Sequence, residues 1–151
     1  MTRPVRARID LQALQQNLHQ VRVSTPRSKV MAVVKANGYG HGLVAVAEAL
    51  HAADGFGVAR LEEALALRQA GIRKPVVLLE GFTNAAELEA VLEHGFEVVL
   101  HSDHQLALLE TARLRAPLRL WVKLDTGMHR LGFLPASMAE IVHRLEALPL
   151  V

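Results

Sequence analysis

The sequence predicts an α/β fold built on parallel strands. Short apolar runs rich in β-branched residues alternate with helix-forming stretches, and they recur at spacings of roughly 20 to 26 residues, as βαβ units do. Turn residues stand at the ends of the elements, so local chemistry and long-range periodicity agree. At the start, Asp10 is placed to cap a helix whose apolar positions Leu11, Leu14, Leu18 and Val21 follow helical spacing, and Thr25-Pro26 ends it. Strands are predicted near Val30 to Val34, Gly55 to Ala59, Pro75 to Leu79, Phe96 to Leu100 and Leu118 to Leu124. The first of these reads as a strand buried on both faces. Helices are predicted near Leu43 to His51, Leu61 to Ala70, Ala85 to Glu93, Gln105 to Leu114 and Ala136 to Leu148. Gly71 and Gly95 follow helices as carboxyl-terminal caps do, and Thr83 and Ser102 precede them as amino-terminal caps do. The units fit either an open doubly wound sheet or part of a (β/α)8 barrel, and periodicity leaves both open.

Composition excludes several functions. The 151 residues suit one domain, 51% hydrophobic and 21% charged, with enough apolar surface to bury a core. No stretch reaches the roughly 18 apolar residues of a spanning helix. Arginines at 3, 6 and 8 are followed by Ile9-Asp10 and a polar helix, which is not the pattern of a secretory signal. The absence of cysteine rules out disulfides and fits the cytosol. A net charge of +2, with Arg6, Arg8, Arg22, Arg27 and Lys29 scattered as solvated surface, does not form a nucleic-acid stripe. His101 and His104, flanking Asp103, offer two metal ligands without a third, so no metal site is predicted. Asp125, Glu62 and Glu63 form no persuasive carboxylate pair, and no serine lies in a nucleophile elbow.

The chemistry concentrates at Val33-Val34-Lys35-Ala36-Asn37-Gly38-Tyr39-Gly40-His41-Gly42. Most lysines near strand ends send the ammonium to solvent along an apolar stem. Here the lysine leaves the carboxyl end of a strand, where parallel α/β folds gather their active sites, and enters a turn with glycines at 38, 40 and 42. The following stretch, Leu43 to Leu50, forms a helix whose amino terminus suits an anion. Spacing excludes the two common phosphate loops: Lys35 precedes its glycines, and G-x-G-x-G is not G-x-G-x-x-G.

The string Ala32 to Gly42 closely resembles the cofactor-attachment segment of bacterial alanine racemases, which use pyridoxal 5'-phosphate (PLP). A second string, Trp121-Val122-Lys123-Leu124-Asp125-Thr126-Gly127-Met128-His129-Arg130-Leu131-Gly132-Phe133, resembles that family's second signature at about the expected separation. The resemblance covers essentially the whole chain. It implies a (β/α)8 TIM-type barrel, of which residues 1–151 would supply about the first five βα units, with the rest of the barrel and a carboxyl-terminal β domain absent. Leu148-Pro149-Leu150-Val151 then reads as the opening of a sixth strand, and the chain as a fragment with open edges.

The implied activity is PLP-dependent interconversion of L- and D-alanine by two bases, in a cytoplasmic homodimer serving peptidoglycan supply or alanine catabolism. Racemisation needs removal of a weakly acidic Cα proton, and PLP supplies the electron sink. The resemblance makes Lys35 the Schiff-base lysine and the base on the D-alanine side, and Tyr39 a contact to the cofactor phosphate. The opposite face would be served by a tyrosine of the second subunit's carboxyl-terminal domain, which this chain does not contain. Arg130 is implied at the substrate and cofactor, its planar fork suiting a carboxylate or a phenolic oxygen. Lys123 matches a lysine that some members carry as a carbamate able to hold the arginine, against an ordinary lysine paired with Asp125 or solvent. Family members often have Gly where this chain has His129, which puts the setting of Arg130 in question. Two alternatives remain: a noncatalytic PLP-binding barrel, and a truncated module inactive by itself.

Overall fold

A computed structural model describes residues 5–151. Arg3 lies outside the described residues. The elements run α1 (Leu11–Ser24), β1 (Met31–Val33), α2 (Lys35–Tyr39), α3 (Leu43–Ala49), β2 (Gly55–Val58), α4 (Leu61–Gln69), β3 (Val76–Leu78), α5 (Ala85–His94), β4 (Glu97–Leu100), α6 (Asp103–Thr111), β5 (Leu120–Val122), a 3₁₀ turn (Pro135–Ser137) and α7 (Met138–Glu146). All four strand pairings are parallel, and the spatial order β1-β2-β3-β4-β5 is the chain order. A doubly wound sheet reverses its strand order at a switch point. A sheet that adds every strand on the same side is winding a barrel, so the topology decides for part of a TIM-type barrel.

The two sides of the sheet differ. Phe56, Val58, Val76, Leu78, Val98 and Leu100 are at most 1% exposed and form the core with Ala64, Leu67, Leu88, Val91, Leu106 and Leu109 of the helices. Residues in the alternate register face inward. There β1 departs from expectation: Val33 is 40% exposed, and on β5 Trp121 is 50% exposed. Both strands are edges of the five-stranded sheet. Their inner faces therefore lack the neighbours that cover a central strand. Residues near Leu148 to Val151 form no strand; the Leu150 carbonyl instead accepts the Leu118 N–H at 2.8 Å.

Caps mostly fall where turn chemistry puts them. Asp10 accepts the N–H groups of Gln12 and Ala13, Ser102 accepts that of Gln105, and Gly95 closes α5 at φ 61°. At α5 the cap is Asn84 and not Thr83. The Asn84 side chain accepts the Glu87 N–H, while Thr83 donates its own N–H and hydroxyl to the Glu87 carboxylate. Adjacent Thr and Asn are both good caps, and Asn, the stronger of the two at this position, takes it.

Arg22 is not free surface. Its guanidinium pairs with Asp54 at 2.9 Å, and the same Asp54 oxygen accepts the Val30 N–H at 2.7 Å, tying α1 to the starts of β1 and β2. The Val30 N–H holds the Asp54 carboxyl below its ordinary value, with Arg22 and Lys74 assisting and partial desolvation opposing. A carboxylate depressed in the fold contributes stability above its unfolded pKa, and that contribution is lost as pH falls through the folded value. Asp54→Asn is expected to lower Tm at neutral pH and to flatten the decline of Tm below about pH 4, the ordinary carboxylate range. Thermal melts across pH 2.5 to 7 check this; an unchanged acid limb would contradict it.

Candidate active site

The carboxyl ends of the strands open on one cleft of about 660 Å³, lined by Lys35, Ala59, Leu79, Glu80, Val99, Trp121, Val122, Lys123, Arg130 and Leu131. Most of these residues follow from sheet geometry. Gly57 faces the side chains of Met31, Val33 and Leu79, so these residues share the inner face. Lys35 lies two positions beyond Val33, and Lys123 two beyond Trp121, which is opposite Val99. The period of two aims Lys123 into the cleft, and Lys35 reaches it from the first residue of the turn that follows β1. Arg130 arrives from the loop after β5. Three of the four residues singled out from the sequence thus meet. Tyr39 does not line the cleft and is 58% exposed.

The turn after Lys35 is more unusual than its glycines suggest. Ala36, Asn37, Gly38 and Tyr39 all have φ between 53° and 62°, so α2 is a single left-handed turn. Only glycine occupies this region without penalty, and a run of four needs strong external support. Bonds from Gly38 N–H to the Val34 carbonyl and from Gly40 N–H to that of Ala36 close the turn. Asn37 is its hub. Its carbonyl accepts the Gly42 N–H, its Oδ1 accepts the Leu43 N–H at 2.9 Å, and its own N–H donates to Glu63 Oε1 at 3.1 Å. The Leu43 N–H expected to face an anion is therefore already used by Asn37.

The second signature folds as a compact loop. Asp125 Oδ1 accepts the N–H groups of Gly127 and His129, both at 3.0 Å, and Oδ2 meets His129 Nδ1 at 3.1 Å. Asp125 is thus paired with His129, not with Lys123. The His129 and Gly127 N–H groups hold its carboxyl below the ordinary range. His129 has φ 54°, a conformation natural to glycine, and its ring contact with Asp125 helps to hold it there. Behind Arg130, Gly132 packs so closely that a Cβ would lie 2.9 Å from the Asp125 nitrogen and 3.0 Å from the Lys123 carbonyl. Arg130 therefore leaves a loop fixed on both sides.

The neighbouring loops are clamped by Gln105, only 2% exposed. It accepts the His101 N–H at 2.9 Å and donates to the carbonyls of Glu80 and Phe82 at 3.0 and 3.2 Å. His101 and His104 are spent on this face as well, each bonded to a carbonyl of the β3–α5 loop. Among the described residues, no group of three or more His, Cys, Asp or Glu is placed to hold a metal, and no helix is long and apolar enough to cross a membrane. Glu63 and Gln105 are the two residues of this face that sequence reading missed.

The donor set suits a cofactor carrying an aldehyde and anionic oxygens. A primary amine, a second amine and a guanidinium open on the same space, and no carboxylate except Glu80 lines it. The family model described as alanine racemase, N-terminal domain, matches residues 9–151. Alanine racemase of Shewanella woodyi is 56% identical over 146 residues, covering 97% of this chain and 41% of that protein. Alanine racemase of Nitrosococcus oceani is 56% identical over 143 residues, covering 95% of this chain and 40% of the relative. The crystal structure of biosynthetic alanine racemase from Pseudomonas aeruginosa superposes with a TM-score of 0.90 at 41% identity, covering 95% of this chain and 40% of that one. The chain spans about two-fifths of the length of the relatives it matches. With the barrel topology and the cleft, the match over residues 9–151 places this chain in the alanine racemase amino-terminal domain family.

Proposed function

We propose that this chain provides the lysine-bearing part of the active site of a PLP-dependent racemase acting on alanine. The observation that carries the reading is the convergence of Lys35, Lys123 and Arg130 on one cleft at the carboxyl end of the sheet, within this family. PLP, when bound, supplies an aldehyde to join to amines and a ring that withdraws electrons from Cα. Lys35 anchors the cofactor through its Nζ, and when released it takes or returns the Cα proton on the D-alanine face. Arg130 orients an anionic oxygen of substrate or cofactor through its planar fork. Tyr39, exposed on the Lys35 loop outside the cleft lining, would contact the phosphate from the rim. Lys123 as a carbamate would turn a cation into an anion beside Arg130 and hold its guanidinium by charge-assisted hydrogen bonds. Intact mass under native conditions with bicarbonate is expected to carry a carbon dioxide adduct that Lys123→Ala removes; an adduct that persists would contradict this role.

On this reading the five strands open a (β/α)8 barrel, and the remaining strands, a β domain and the second base lie outside these residues, in a homodimer. The test is isotope exchange. Purified protein carrying the whole natural chain, supplied with PLP and L-alanine in deuterium oxide, should yield D-alanine deuterated at Cα. Alanine recovered as the L form without deuterium would refute the activity.

A further inference from the structure

We propose that Glu63 is a positioning residue for Lys35, an inference that rests on reading Lys35 as the cofactor's anchor. Glu63 is the third residue of α4, and in a capping box a glutamate there reaches back to the backbone N–H before the helix. One oxygen suffices for that. Here Oε2 accepts the N–H groups of Ala59 and Arg60 at 3.0 and 3.4 Å, and Oε1 crosses to the N–H of Asn37 at 3.1 Å. One carboxylate therefore joins the carboxyl end of β2 to the residue two positions beyond Lys35.

The join falls where the backbone most needs it. Ala36 and Asn37, at φ 53° and 55°, hold a left-handed conformation that their side chains disfavour. Such strain persists only where surrounding contacts over-determine it. Asn37 has three: its carbonyl to Gly42, its Oδ1 to Leu43, and its N–H to Glu63. The first two lie within the loop and move with it. Glu63 alone of the three ties the turn to the sheet, and Ala59, which it also holds, lines the cleft with Lys35. Removing the carboxylate frees the turn to relax toward ordinary backbone, which carries the lysine root away from the cofactor's aldehyde carbon.

The experiment uses purified protein carrying the whole natural chain. PLP is added, the product is trapped with borohydride, and the rate of label appearing on the Lys35 peptide is measured, with amide hydrogen exchange of the 36–40 segment alongside. Glu63→Ala should slow trapping by about tenfold to a hundredfold, the range set by misplacing a reacting group by about an ångström. It should also speed exchange at Asn37. Glu63→Gln keeps one accepting oxygen and should slow trapping by only about fivefold, the worth of one net hydrogen bond. If Glu63 were purely structural, Glu63→Ala would lower Tm and leave trapping per folded molecule unchanged, as is expected of the control Glu110→Ala, which breaks the surface pair to Arg144 without touching the loop. Wild-type trapping rates in both Glu63 variants would overturn the inference while leaving the Lys35 reading intact. Absence of label on Lys35 in the wild type would overturn both. Should Glu63→Ala fail to fold, Glu63→Gln decides: wild-type trapping together with unchanged Asn37 exchange overturns the proposal.

Discussion

Lys35→Ala is expected to abolish covalent attachment of PLP and to reduce racemisation by at least about 10²- to 10⁴-fold, the usual contribution of a positioned acid–base group. The true loss should exceed that range because the same amine has two tasks. On the proposed reading it would bond the cofactor in the resting protein and move the Cα proton during turnover. Little stability should be lost, within about 0.5 kcal/mol, because a half-buried side chain with no hydrogen-bond partner among the described residues is removed and no cavity opens in the core. The lysine sits on the inner side of β1's end, whereas the core lies on the helix side of the sheet. Loss of activity with an unchanged melting curve separates chemistry from folding. Lys123→Ala supplies the contrast: it lies in the same cleft, and it should keep the covalent attachment.

The second large effect is structural and falls beside the cleft. Gly81 has φ 68°, and a Cβ built there would lie 2.4 Å from Gln105 Nε2 and 2.5 Å from the Val99 carbonyl oxygen. Neither neighbour has room to yield. Gln105 is 2% exposed and holds Glu80, Phe82 and His101 by their backbones, and Val99 belongs to β4. Gly81→Ala must expel the amide, leaving the buried Phe82 carbonyl unpaired at about 1–3 kcal/mol, in addition to left-handed backbone strain of about 1–3 kcal/mol; the Glu80 carbonyl keeps its bond to His101. The expected total is roughly 2–6 kcal/mol. Gly71→Ala is the control. Gly71 also has positive φ, 83°, but nothing lies within 4 Å of its would-be Cβ, so only the backbone penalty of about 1–2 kcal/mol applies. Urea denaturation of both variants checks the difference; equal losses would mean that the Gln105 clamp does not exist.

The alternation of elements was legible in the sequence because it is local. Each βα unit announces itself by β-branched runs, periodic apolar residues and caps, and the five strands appeared within two residues of their predicted limits. Barrel against doubly wound sheet was not legible from periodicity, since both use the same units and differ only in which edge receives the next strand. The inner-face exposure of Val33 and Trp121 was missed for a related reason: an apolar run reads alike in a central and an edge strand. In the site, Lys35, Lys123 and Arg130 were found because long motifs surround them. Glu63 and Gln105 were not, because a carboxylate in a helix's first turn and a glutamine on an apolar helix look ordinary until distant backbone N–H and C=O groups are brought to them. One signal was available. Arg60-Leu61-Glu62-Glu63 directly after a strand has the spacing of a glutamate that reaches backward, whereas Glu63 was weighed only as a member of a carboxylate pair. Arg22 with Asp54, and Asp125 with His129, teach the same lesson: composition names the charges, and only the fold chooses their partners.

The central claim is that Lys35 is the amine that joins the cofactor, and locating the bond tests it most directly. Protein carrying the whole natural chain is mixed with PLP, reduced with borohydride, digested and mapped by mass spectrometry. The reduced cofactor should lie on the peptide containing Lys35 and disappear from the map in Lys35→Ala. A label on Lys123 in place of Lys35, or no label at all, would contradict the claim.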